Sequence, residues 1–199
     1  MSRPDRTRFA LPLRLIHWAM ALLILAMLFI GVGMVSTVDP AYSVLLQLHR
    51  PIGATLFVLV LLRLAIRLST GAPPLPADLP KIQQIVAKGS HLLLYAAMLA
   101  MPLIGWAMLS AGGYPIVLTK DLSLPSILPH DLRYYFALRE LHTVIALAFF
   151  ALILAHLGAA LMHGLIRKDG VLWSMTFGAG RRVSAPAPVE HDGPPGLVE

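Results

Sequence analysis

Four stretches of the chain are almost unbroken runs of apolar residues, at roughly 13–34, 46–68, 88–110 and 138–166. Between them, Pro, Gly and charged residues gather. A hydrocarbon layer about 30 Å thick takes about 20 helical residues to cross, and each run is long enough. Leu and Ala dominate, and no run alternates apolar with polar positions at period two, so the pattern predicts helices rather than strands. The expected architecture is all-α: an integral membrane four-helix bundle. Pro102 and Gly105 interrupt the third run, a break that bundle contacts tolerate and that reads as a packing kink.

The connectors differ in kind. Gly71–Pro80 carries Ala72-Pro73-Pro74-Leu75-Pro76, which stops the second helix and stiffens a short link. The longer loop Gly112–Leu138 holds Tyr114, Tyr134 and Tyr135, side chains suited to a membrane interface, and could cover one mouth of the bundle. Residues 1–12 are expected to be an N-terminal segment, 13–177 a single membrane domain, and 178–199, rich in Pro and Gly, a disordered tail.

Composition agrees with a membrane class: 57% of residues are apolar, 13% are charged, and the mean hydropathy is +0.75. Charge sets the orientation. With the N-terminus inside, twelve of the 16 Lys and Arg residues fall on the cytoplasmic side, and Arg50, Lys120, Arg133 and Arg139 remain outside. That asymmetry predicts both termini in the cytoplasm. The net charge of +6 is then a topological signal and a contact with anionic lipid, and calls for no nucleic acid. Basic residues before the first run also resemble a signal peptide, but the run is too long for one and opens with His17-Trp18, so it is expected to stay as a helix. Cysteine is absent, which excludes disulfides, thiolate ligands and the covalent attachment of a c-type haem.

The candidate chemistry lies in the histidines. His17 opens the first run, His49 the second, and His142 and His156 share the fourth. Ionisable groups inside a membrane are expensive and mark function. His142 and His156 lie 14 residues apart, about 21 Å along a helix and about 40° around it, so they share a face. Matching depths pairs His17 with His156 on the inner side and His49 with His142 on the outer side. Two such pairs suit two stacked haem b groups, non-covalently held, and bis-imidazole ligation favours electron transfer over oxygen binding. Gly53, Ala146 and Ala160 each follow a histidine by four positions, leaving room for a flat ring. Zinc or non-haem iron fits less well, because no carboxylate or thiolate joins either pair.

Other residues compete for roles at these sites. His91 lies at the depth of His17, as an alternative ligand, a supporting residue or a quinone-lining residue. His163 follows His156 by seven positions, as an interfacial cap or a quinone contact. Arg14, Arg63 and Arg67 inside, with Arg50 and Arg139 outside, are candidate partners of haem propionates, since a guanidinium forks onto a carboxylate; the alternative is lipid anchoring by snorkelling. His130 and His191 read as loop and tail residues.

Together the stretches Arg14-Leu15-Ile16-His17-Trp18, Leu48-His49-Arg50-Pro51-Ile52-Gly53, Gly89-Ser90-His91-Leu92, Met101-Pro102-Leu103-Ile104-Gly105 and Lys168-Asp169-Gly170, with His142 and His156, resemble the bacterial cytochrome b561 family over about residues 10–177. The resemblance implies a multi-pass protein of the bacterial inner membrane holding two b haems, His17–His156 inside and His49–His142 outside. Some relatives are superoxide oxidases that pass electrons from periplasmic superoxide to ubiquinone. On that plan the outer haem accepts the electron, the inner haem relays it, and His163 lies at the quinone pocket. Related di-haem subunits relay electrons from a partner dehydrogenase or hydrogenase, so the histidines do not fix the donor. A positive outer surface would steer superoxide. The outer segments balance Arg50, Lys120, Arg133 and Arg139 against Asp39, Asp121, Asp131 and Glu140, leaving only local clustering of Arg50 and Arg139. Inward electron flow also works against the membrane potential, at about 2.3 kcal/mol per charge per 100 mV for a full crossing.

Overall fold

The computed structural model describes residues 8–37, 40–76 and 78–176. The expected tail, with His191, Arg181 and Arg182, lies outside these residues, as do Arg3, Arg6 and Asp39. Four helices dominate: α1 (Leu11–Ser36), α2 (Ala41–Thr70), α3 (Lys81–Ala111) and α4 (Leu132–Leu161). Each is long and apolar enough to cross a membrane. The bundle read from the hydropathy pattern is therefore present.

The helix ends follow local chemistry. Pro12 occupies the first turn of α1, where its missing N–H costs nothing. Helix α2 stops at Gly71, whose φ of 75° suits glycine; its N–H bonds to Arg67 O at 3.0 Å. Helix α4 begins at Asp131, whose side chain accepts from the Arg133 N–H at 2.8 Å, a capping bond that satisfies one orphan donor. This cap starts α4 six residues before the apolar run suggested, because 132–137, which includes Arg133 and two tyrosines, is helical as well. Pro51 and Pro102 both lie inside helices.

The long α3–α4 connector is more ordered than a loop. Strands β1 (Ile116–Thr119) and β2 (Leu122–Leu124) pair antiparallel, with Ile116 opposite Leu124 and an irregularity between Val117 and Thr119. The connector is strapped to the bundle: Trp106 Nε1 donates to Pro125 O at 2.8 Å, and Ile127 N donates to Ser110 Oγ at 3.1 Å. We call this the hairpin end. At the opposite, terminal end, α4 continues into a π-helical turn (Met162–Arg167) and a short 3₁₀ segment (Leu172–Met175).

Helix α1 packs along α2, α3 along α4, and α2 against α3. Helix α4 makes no comparable backbone approach to α1 or α2 among the described residues. The tightest apolar cluster joins Met20, Leu56 and Val60, with Tyr95 and Met98 of α3 packed on it. Large apolar side chains such as Leu22, Phe29, Leu68 and Leu147 stand exposed around the outside. In a membrane these face acyl chains rather than water, which is the solvent that all four spans require.

Candidate functional site

The structure brings the four principal histidines together in the depth-matched pairs. The rings of His17 and His156 face each other with centroids 6.4 Å apart, and those of His49 and His142 at 6.2 Å. Two imidazoles on one metal, each bound through nitrogen at about 2.0 Å with its ring centre roughly 1.1 Å farther on, stand about 6.2 Å apart. Both pairs bridge α4 to a helix whose backbone it does not closely approach. Imidazoles meeting across a gap between helices are what a flat cofactor between them needs.

At the hairpin end the pair is bare. Nδ1 of His49 and Nδ1 of His142 are both buried without a hydrogen-bond partner among the described residues. Buried polar atoms without partners are uncommon and costly, and neither ring is tied through Nδ1 to a protein group that would hold it away from a ligand. The room beside His142 comes from a residue given no part in ligand space by the sequence: a Cβ on Gly105 would stand 3.6 Å from His142 Cε1. Its signal was the Pro102–Gly105 break, read above as packing alone. Gly53 lies on the side of α2 toward α1, where a Cβ would stand in ordinary contact with Met27 Cε at 3.7 Å. Arg50 reaches the connector, with Nη1 donating to Pro115 O at 3.4 Å.

The terminal end is crowded and bonded. His91 Nδ1 donates to Ala87 O at 2.6 Å, and its ring lies 5.6 Å from that of His156. Three imidazoles thus converge, those of His17, His91 and His156. Arg63 Nη1 donates to His17 Nδ1 at 2.8 Å, and Arg63 Nε donates to Tyr95 OH at 3.0 Å. A guanidinium has no acceptor, so His17 Nδ1 carries the lone pair in this arrangement. Arg67 stacks on the Phe9 ring at 5.0 Å, and Arg14 Nη1 donates to Thr176 O at 2.8 Å. Trp18 Nε1 donates to Met175 O at 2.9 Å, which ties the start of α1 to the 3₁₀ segment. His163 lies beyond this cluster, paired with Asp169.

Among the described residues no group of three or more His, Cys, Asp or Glu side chains forms a metal-ion cage. Paired imidazoles either side of a gap suit a metal whose other ligands belong to a macrocycle. The family model for prokaryotic cytochrome b561 matches residues 8–178. This chain belongs to the prokaryotic cytochrome b561 family. Membership makes it a multi-pass protein of the bacterial inner membrane and a haem b protein. Cytochrome b561 homolog 2 of Escherichia coli (strain K12) is 30% identical over 162 residues, covering 80% of this chain and 86% of its own. Cytochrome b561 homolog 1 of the same organism is 28% identical over 178 residues, covering 88% and 97%. A protein of Yersinia pestis named probable superoxide oxidase CybB is 27% identical over 166 residues, covering 80% and 90%. As a cytochrome b561 the chain is an electron-transfer membrane protein.

Proposed function

We propose that this cytochrome b561 binds two haems b and carries electrons from a periplasmic donor, superoxide in the preferred reading, to ubiquinone. His49 and His142 hold the haem at the hairpin end, and His17 and His156 the haem at the terminal end. The observation that carries this is the pair of facing imidazoles at 6.2 and 6.4 Å. Haem b held between two imidazoles supplies a one-electron iron couple with no vacant position for oxygen. The asymmetry of Lys and Arg orients the hairpin end to the periplasm and the terminal end to the cytoplasm.

The residues divide the work. The connector meets α2 at the hairpin end, where Arg50 donates to Pro115 O, beside the outer ligand pair. If His17 held the metal through its other ring nitrogen, Nδ1 would carry the proton and could no longer accept from Arg63. That guanidinium, still held by Tyr95, would then be a candidate propionate partner. Arg14 and Arg67 line the same end as further candidates. His163 and His91 are the candidate quinone contacts. Superoxide as donor is supported by the Yersinia relative's name and by the placement of Arg50 beside His49 and of Arg139 one turn before His142 in the sequence.

The test is stopped-flow spectroscopy on the purified, haem-loaded protein. Superoxide should reduce the haems without a partner protein, and a short-chain ubiquinone should then reoxidise them. Haems that superoxide leaves oxidised, but that a partner dehydrogenase or hydrogenase reduces, would make the chain a membrane anchor subunit instead.

A further inference from the structure

The Lys168-Asp169-Gly170 stretch has no part in the reading above, yet it forms the most heavily bonded polar group of the terminal end. The chain leaves α4 through the π-helical turn Met162–Arg167, a geometry that recurs at functional sites. It then reverses at Lys168, whose φ of 54° is left-handed and non-glycine, and at Gly170, with φ of 85°. Gly170 takes that conformation freely, whereas at Lys168 it carries a steric cost that the surrounding bonds offset.

Those bonds converge on Asp169. One carboxylate oxygen accepts from His163 Nδ1 at 2.5 Å and from Arg167 Nε at 3.0 Å, and the other accepts from the Val171 N–H at 3.2 Å. Arg167 Nη2 extends the chain to Asp78 in the α2–α3 connector at 2.9 Å. The side chains of His163 and Asp169 are 14% and 10% exposed, whereas that of Asp78 is 73% exposed. Burial alone would raise the Asp169 carboxyl, but the bonds from His163, Val171 and Arg167 outweigh it and hold it below its ordinary range. Asp169 is therefore an anion that only accepts. Nδ1 of His163 must carry the proton, and Nε2 is the free nitrogen of the ring.

We propose that Asp169 is a positioning residue for quinone chemistry, fixing the His163 tautomer so that Nε2 is the atom that passes protons to a quinone oxygen. This rests on the quinone reading above. Arg167 holds Asp169 in place and is itself bonded to Asp78. Reduction of a quinone to its hydroquinone takes two electrons and two protons. The electrons come from the one-electron donor, two superoxide ions leaving as two molecules of oxygen. Each proton passes from Nε2 of the doubly protonated ring to a quinone oxygen. His163 is left neutral, with its remaining proton on Nδ1 against Asp169. Water at the terminal end then returns a proton to Nε2. The orienting carboxylate beside an imidazole is the same physical device that serves the histidine of a hydrolase triad.

The experiment uses the full, haem-loaded chain and decyl-ubiquinone. In wild type, ¹⁵N-histidine NMR should show His163 protonated at Nδ1. Asp169→Asn should slow maximal haem reoxidation on the order of 10- to 100-fold, with haem reduction unchanged. The half-saturating quinone concentration should move less than about twofold, and Asp169→Glu should restore most of the rate. Wild-type reoxidation in Asp169→Asn, alongside slow reoxidation in His163→Ala, would overturn this inference and leave the quinone site standing. Wild-type reoxidation in His163→Ala would overturn both. Should Asp169→Asn fail to fold, the wild-type spectrum decides, and a bare Nδ1 overturns the inference.

Discussion

The hairpin end and the terminal end of the bundle each present facing imidazoles at nearly the same separation, but they are built in different ways. At the hairpin end, His49 and His142 stand alone, with their Nδ1 atoms buried and unbonded and Gly105 beside one ring. At the terminal end, His17 is bonded by Arg63, His91 joins as a third imidazole, and His163 has its own carboxylate. The first is shaped mainly by space and the second mainly by hydrogen bonds. Damage to the first should therefore be all-or-none. The second has alternatives within reach.

That contrast can be broken most directly by removing ligands. His142→Ala or His49→Ala should abolish the hairpin-end haem, halving the protohaem recovered by pyridine haemochrome assay. His156→Ala should likewise abolish the terminal-end haem, since both nearby imidazoles face it. His17→Ala should retain a fraction of that haem, because His91 donates from Nδ1 and so keeps Nε2 open as a ligand. Equal, complete loss in His17→Ala would remove the alternative and make the two ends alike.

Subtler changes sharpen the same comparison. Arg63→Gln should lower the midpoint potential of the terminal-end haem by tens of millivolts, the order expected for a unit charge removed at roughly 10 Å with an effective dielectric of about 20. The hairpin-end haem should hold its potential in a redox titration. At the other end, Gly105→Leu should displace the His142 ring and weaken haem retention there. Gly105→Ala should be tolerated, because its Cβ would sit at ordinary contact distance, 3.6 Å. The smallest effect concerns acid. A carboxyl held below its ordinary 3.8 stabilises the fold at higher pH and loses that contribution as pH falls through its lower folded value. Asp169→Asn should therefore remove the fall in thermal stability that wild type owes to protonation of this carboxyl below its ordinary range, read as a shallower slope with pH in strong acid.

Much of this was legible from residue order. Apolar runs gave the four spans, since in lipid only helices satisfy their own backbone here. Helical geometry on α4 placed His142 and His156 on one face, and depth supplied their partners. The β-hairpin escaped because its strands are three and four residues long, too short for a period-two signal. The early start of α4 depends on a single side chain, Asp131. The bonds Arg63–His17 and His163–Asp169 depend on how helix ends turn, and no periodicity encodes that. Gly105 was visible as a break in α3, but which ring it faces is a tertiary fact.

One feature of the bundle governs how the molecule is made. Each imidazole pair takes one member from α4 and the other from α1 or α2, helices synthesised long before it. A nascent chain halted in the β-hairpin already spans the membrane three times, yet it offers the hairpin end His49 alone, while the terminal end already holds His17 and His91. Pairing at the hairpin end thus waits for the last helix, and that site is the later of the two to be completed during synthesis.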